Sequence, residues 1–119
     1  MNVGIDLIEI KRIKKSIENE RFIEKVFSAK ERELFAKKNS IQTIAGRFCV
    51  KEAFSKALGT GVRDFELDEI STLNDELGCP YVELEGSALK IAKEKGIKEI
   101  KVSITHTEEY ASAIVIVIW

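Results

Sequence analysis

The sequence predicts an α+β fold in one domain spanning residues 1–119, a small, largely antiparallel sheet packed against one long helix. Three observations point there. Short strand-like apolar stretches lie near both ends, at residues 3–8 and 110–118. A segment from about Ser40 to Leu58 carries apolar residues at helical spacing and stops at glycines. Between them, two short β-prone runs flank a turn-rich stretch, Asn74 to Pro80. The size agrees, since 119 residues with 45% hydrophobic and 33% charged positions suit one core, and no repeat or linker interrupts them.

Taken in order, residues 3–8 form a strand with Val3, Ile5 and Leu7 on one face and Gly4, Asp6 and Ile8 on the other. Asp6 is out of place there. Ile10, Ile13 and Ile17 then recur at spacings of three and four among Lys11, Arg12, Lys14 and Lys15, which describes an amphipathic helix with a basic outer face. Phe22, Ile23, Val26 and Phe27 continue the apolar stripe. Ser28 and Glu31 have capping-box spacing, so a helix starts there and carries Leu34 and Phe35 inward. Ser40 or Thr43 caps the main helix, whose stripe includes Ile44, Ala45, Phe48 and Cys49 and which ends near Leu58 before Gly59 and Gly61.

After Arg63 the elements shorten. A strand near residues 69–73, the turn and a strand at 81–84 make a hairpin. Residues 87–95 read as a helix stopped by Gly96, and residues 97–104 as a strand ending at Thr105-His106-Thr107. In the last strand the run Ile114 to Ile118 does not alternate, which predicts cover on both faces by helices, by another subunit, or by both.

Composition excludes several classes. The longest apolar run, Ala113 to Trp119, is far short of the ~20 residues a membrane helix needs. Cys49 and Cys79 have no metal-ligand spacing and read as reduced, partly buried thiols, which with no signal peptide predicts a cytoplasmic protein. The net charge of −1 hides an asymmetry: residues 1–63 hold 14 Lys and Arg against 8 Asp and Glu, and residues 64–119 hold 5 against 12. The first half is therefore suited to an anionic partner. Nucleic acid is a poor fit, because no aromatic residues are interleaved with the basic stripe and the pI is near 5.9.

Four residues stand out chemically. A strand carboxylate facing a core needs a hydrogen-bonded neighbour or a cation, and Asp6 is open to either. On the main helix, residues 48, 52 and 56 stack at successive turns, so Glu52 and Lys56 share the edge set by Phe48. That pair is either a solvated surface contact or part of a site with the flexible Gly59-Thr60-Gly61 loop that follows. Two carboxylates, a lysine and a glycine loop are the usual parts of a magnesium–diphosphate site. His106, the only histidine, sits at a turn, where it is either surface decoration or a polar contact beside Thr105 and Thr107. A non-catalytic module binding a nucleotide or an acidic partner remains a second reading at this point.

Three segments together resemble the holo-acyl-carrier-protein synthases, the small group of 4′-phosphopantetheinyl transferases. They are Val3-Gly4-Ile5-Asp6-Leu7-Ile8-Glu9-Ile10-Lys11-Arg12, the helix and loop Arg47-Phe48-Cys49-Val50-Lys51-Glu52-Ala53-Phe54-Ser55-Lys56-Ala57-Leu58-Gly59-Thr60-Gly61, and Val102-Ser103-Ile104-Thr105-His106-Thr107 followed by Tyr110-Ala111. The resemblance implies the 4′-phosphopantetheinyl transferase fold. It implies transfer of phosphopantetheine from coenzyme A to a serine of acyl carrier protein in support of fatty acid biosynthesis, with release of 3′,5′-ADP. It further implies Asp6 and Glu52 as Mg²⁺ ligands and, with Lys56, as the catalytic residues. Lys56, Arg47, Gly59, Gly61, Pro80 and His106 are the expected coenzyme A contacts, and Arg12, Lys14, Arg21 and Lys25 the surface for the acidic carrier protein. Because larger relatives place two such units in one chain, it also implies a homotrimer with sites between subunits. The base that takes the serine proton stays open among Glu52, metal-bound water and another carboxylate.

Overall fold

The computed structural model describes all residues from Met1 to Trp119. Strand β1 (Asn2–Glu9) leads into two short helices, α1 (Ile10–Ser16) and α2 (Glu20–Val26), then α3 (Ala29–Lys37) and the long α4 (Ile41–Ala57). A 3₁₀ turn at Leu67–Glu69 precedes the hairpin β2 (Ile70–Asn74) and β3 (Pro80–Leu84), and α5 (Gly86–Glu94), β4 (Glu99–His106) and β5 (Tyr110–Ile118) follow. All strand pairs are antiparallel: β1-β5-β4 form one sheet and β2-β3 a second. The expected α+β architecture is present, with α4 lying across the three-stranded sheet.

The boundaries follow from local chemistry. The apolar stripe of residues 10–27 is carried by two helices, because Asn19 caps a new start by accepting the backbone N–H of Arg21 at 2.9 Å. Both halves of the Ser28/Glu31 capping box form. Ser40, rather than Thr43, caps α4, accepting the Thr43 N–H. The strand expected from residue 69 begins at Ile70, since residues 67–69 close the 3₁₀ turn, and β4 starts two residues later than expected.

The core is formed where α4 meets β5. Ala45, Cys49, Val50, Ala53, Phe54 and Ala57 pack toward Ala111, Ala113, Val115 and Val117. Phe27 and Phe54 are wholly buried, and each contributes roughly 1.5–3 kcal/mol by leaving water. Phe27 meets Phe35 edge-on at 5.1 Å between ring centroids. Leu34 and Phe35 are only half-buried, and the buried side chain of α3 is Glu31. It forms an ion pair with Lys51 at 2.6 Å in which neither side chain is exposed.

Strand β1 reverses the usual rule. Its face bearing Gly4 and Asp6 packs on α4, while Val3, Ile5 and Leu7 point away and stay 54%, 62% and 66% exposed. The absence of a Cβ at Gly4 explains the choice, because one placed there would lie 1.9 Å from the Ala53 carbonyl oxygen and 2.6 Å from the Ala57 nitrogen. On β5 burial alternates, with residues 111, 113, 115 and 117 buried. The expected cover on both faces is thus half met within one protomer: α4 supplies the inner layer, and the outer face stays open.

Substituting Gly4→Ala should cost about 2 kcal/mol or more, because the atoms it meets are backbone and cannot swing aside. Urea unfolding checks this, and a loss below about 0.5 kcal/mol would show that β1 is not seated against α4 as described.

Candidate active site

The close approach of β1 and α4 brings residues from two distant segments to one seam. Asp6 lies two residues beyond Gly4 on the inner face, with its side chain 16% exposed. Lys56, in the last turn of α4, reaches back across the seam and donates to Asp6 Oδ1 at 3.2 Å and to the Ile5 carbonyl oxygen at 3.0 Å. Glu52 stands one turn earlier on the same flank, half-buried. Asp6 and Glu52 share a cavity of about 340 Å³ with Arg12, Ile13, Ser16, Phe22 and Phe48. Phe48 and Glu52 of the helical edge expected from the periodicity line this cavity, and Lys56, one turn on, reaches Asp6 by its hydrogen bond.

Electrostatics marks this seam as short of positive charge. Burial pushes the Glu52 carboxyl above its ordinary value, the negative charge of Asp6 adds to the rise, and Lys56 opposes it. The Glu52 carboxylate accepts no hydrogen bond from the protein and forms no ion pair within 4 Å. Cys49, one turn before Ala53, has its thiol pushed up to about 12 by burial and by the negative charges of Asp6 and Glu52. It remains a neutral thiol, donating to the Ala111 carbonyl at 3.4 Å. No cluster of three or more His, Cys, Asp or Glu side chains suited to a metal exists in the chain. Two carboxylates converging on one half-buried cavity nonetheless fit Mg²⁺, which takes one or two protein carboxylates and completes its shell with phosphate oxygens and water.

The loop after α4 has the expected freedom. Gly59 and Gly61 have φ of +82° and +69° with open space where a Cβ would stand, and their N–H groups close the helix on the carbonyls of Lys56 and Ser55. Gly59 is exposed and Gly61 half-buried, a few residues after Lys56.

Other expected contacts are gathered elsewhere. Arg47 is buried on the opposite flank of α4, where its guanidinium donates to Asn74 Oδ1 at the end of β2 and its Nε finds no partner. Desolvation lowers its pKa, against the favourable charge of Glu31. Pro80 opens β3 directly across from Asn74. His106 ends β4, the edge strand separated from β1 by β5, and is exposed. One protomer therefore carries Asp6, Glu52, Lys56 and the glycine loop along its β1 edge, and Arg47, Pro80 and His106 along its β4 and hairpin side.

The basic residues are likewise divided. Arg12 lines the Asp6 cavity, whereas Lys14 lines a separate one with Glu9, Glu108 and Glu109, and Lys25 a third with Asp64 and Glu66. Arg21 is exposed on α2. These residues are carried by two helices, α1 and α2, with the chain turning at residues 17–19 between them. Ser16, Phe22 and Cys49 escaped the sequence reading as neighbours of the site. The i, i+4 relation of Arg12 to Ser16 was the available signal for the first.

The chain resembles known proteins along nearly its whole length. The 4′-phosphopantetheinyl transferase superfamily profile matches residues 2–115. The holo-[acyl-carrier-protein] synthase of Caldanaerobacter subterraneus subsp. tengcongensis is 49% identical over 118 residues, covering 98% of this chain and 93% of its own. Among solved structures, the holo-[acyl-carrier-protein] synthase of Neisseria meningitidis superposes with a TM-score of 0.92 at 28% identity, covering 99% and 98% of the two chains. That of Helicobacter pylori, in complex with coenzyme A, gives 0.84 at 30% identity, covering 97% and 98%.

The raised Glu52 pKa has a sign that can be checked. In the metal-free protein the folded state holds this proton more tightly than the unfolded chain, so the stabilisation associated with protonated Glu52 is present below about 4.5 and is lost as pH rises through the higher folded value. Glu52→Gln should therefore raise the Tm at pH 7, and the gain should vanish as pH falls below that of the unfolded carboxyl. A variant less stable than the parent at pH 7, by calorimetry in chelator, would show that Glu52 is not under strain from Asp6.

Proposed function

The chain belongs to the 4′-phosphopantetheinyl transferase superfamily and to its holo-[acyl-carrier-protein] synthase members, and from that premise we propose that Asp6, Glu52 and Lys56 are its catalytic residues. The reaction transfers 4′-phosphopantetheine from coenzyme A to a serine of acyl carrier protein. A new bond forms between the serine oxygen and the phosphorus bearing the pantetheine arm, and the bond from that phosphorus to the leaving 3′,5′-ADP breaks. The observation that carries the assignment is the convergence of Asp6 and Glu52 on one cavity, with Lys56 bonded to Asp6 at its edge.

Each residue has a physical task. Asp6 and Glu52 would hold the magnesium ion, which when bound neutralises charge on the diphosphate and on the departing ADP. Lys56 supplies a cation at the C-terminal end of α4, where the helix itself offers the wrong sign to an anion. Held by Asp6 and the Ile5 carbonyl, its ammonium is pre-oriented on a side chain that is 54% exposed and open to an incoming diphosphate. The serine must lose a proton as its oxygen bonds to phosphorus. That proton goes to one of the acceptors the sequence leaves open: Glu52 or another carboxylate directly, or a water held by the metal. Arg12 stands at the same cavity, so an acidic carrier protein docking on α1 delivers its serine beside these groups. Lys14, Arg21 and Lys25 extend the positive field around that entrance without sharing the cavity.

A homotrimer accounts for the divided contacts. Arg47, Pro80, and His106 flank the β4 side of one protomer, and a neighbour's β1 edge would complete a coenzyme A site with them. The support is the open apolar outer face of Val3, Ile5, Leu7 and Ile114, which a second copy covers with a like surface. We further assign the enzyme to the cytoplasm, where its free Cys49 and Cys79 stay reduced. No helix is long and apolar enough to cross a membrane.

Asp6→Asn and Glu52→Gln should each lower transfer by about 10²-fold or more with the fold retained, and chelator should abolish transfer by the parent enzyme. Mass spectrometry of a carrier protein incubated with coenzyme A and Mg²⁺ reads the result as the gain of one phosphopantetheine; full activity of either variant in chelator would overturn the assignment. For the shared site, inactive Glu52→Gln and inactive His106→Ala proteins, refolded together, should regain about a quarter of parental activity through mixed assemblies. No recovery, with mixed assembly shown by mass, would place the whole site within one protomer.

A further inference from the structure

The Glu31–Lys51 cluster lies outside the site, and the mechanism above uses neither residue. Lys51 Nζ donates to Glu31 Oε1 at 2.6 Å, to the Leu67 carbonyl at 3.0 Å and to the Ile70 carbonyl, and it sits 5.5 Å from the centre of the Phe27 ring. Glu31 in turn accepts the backbone N–H of Ser28 at 3.0 Å and that of Thr72 at 3.0 Å. Every ammonium proton is engaged, so the pair has none to offer for chemistry. Nor does stability explain it, since a buried ion pair is commonly matched or bettered by apolar side chains of equal volume. What such a pair offers is direction. Acceptors from α3 and from both ends of the turn at residues 67–70 hold one point of α4 in both rotation and translation.

The helical positions show what that hold controls. At about 100° per residue, Ala53 and Ala57, which rest on Gly4, lie roughly 200–240° around the helix from Lys51. Glu52 and Lys56 fall between, at roughly 100–140°. The Gly4 contact therefore acts as a line about which α4 can roll, and Lys51 pins the far side. A roll of ~12° would move a carboxylate ~7 Å from the axis by roughly 1.5 Å, enough to cost a large part of catalysis.

We propose that Lys51 and Glu31 are a positioning pair for the active site, fixing the roll of α4 so that Glu52 and Lys56 face Asp6 across the β1 seam. This rests on the reading of Asp6 and Glu52 as the metal-holding carboxylates. The combined variant Lys51→Met with Glu31→Gln replaces the ion pair by a neutral filling and keeps an amide oxygen for the Ser28 or Thr72 N–H. It should unfold cooperatively with a coenzyme A KM within about two-fold of the parent, while kcat falls about ten-fold or more. Calorimetric Mn²⁺ binding in the presence of 3′,5′-ADP, where no turnover occurs, should weaken about ten-fold. A folded double variant whose kcat and Mn²⁺ affinity both stay within two-fold of the parent would overturn the proposal. Should the double variant not fold, Glu31→Gln alone decides: a fall in kcat of about three-fold or more at unchanged KM supports positioning, whereas unchanged kcat or failure to fold shows a purely structural role. Glu52→Gln is titrated alongside, and if it binds Mn²⁺ as the parent does, the metal-site reading fails independently of the Lys51 result.

Discussion

The structure depends on one close contact, the seating of the β1 backbone at Gly4 against the α4 backbone at Ala53 and Ala57. A side chain at that position would hold strand and helix apart, and the two carboxylates would no longer border a common cavity. Because the approach is so near, Asp6 is carried to the flank of the helix where Glu52 and Lys56 emerge. Small residues on both partners, Ala113 and Ala111 on β5 and Ala45, Ala53 and Ala57 on α4, extend the same tight packing across the sheet. The site is thus a by-product of how closely two backbones pass, and its charges are tolerated because they stand at the edge of that contact rather than within it.

Much of this was legible from residue order. The Ser28/Glu31 spacing, the glycine exit from α4 and the hairpin turn each act locally, so sequence neighbours suffice to reveal them. The Phe48, Glu52 and Lys56 edge was legible for the same reason, since helical periodicity is local. The orientation of β1 was not. Hydrophobicity alone would bury Val3, Ile5 and Leu7, and only the three-dimensional closeness of Gly4 to α4 turns them outward. The Glu31–Lys51 pair was hidden because each residue looks like a surface charge on its own helix. A clue existed in the helical wheel, where the apolar Ile44, Phe48 and Phe54 fall within about 60° of Lys51 around α4.

The separation of Arg47, Pro80 and His106 from the β1 edge is the other feature that residue order conceals. Arg47 and Glu52 are close in sequence on one helix, which suggests a shared site. The helix turns them to different flanks, and Asn74 claims the guanidinium. The proposed assembly would act in two respects at once, because an association that covers the open apolar sheet face would also bring the two groups of residues together.

Strand β1 has a single neighbour in its sheet, β5, with Asn2 opposite Val117. Asp6 stands opposite Ala113 in the same register, so the strand that presents this carboxylate is held at its edge by β5 and on its face by α4. A slip of one residue in that pairing would turn Asp6 to the other side of the sheet and strand Glu52 and Lys56 without it, with no change to the helix at all.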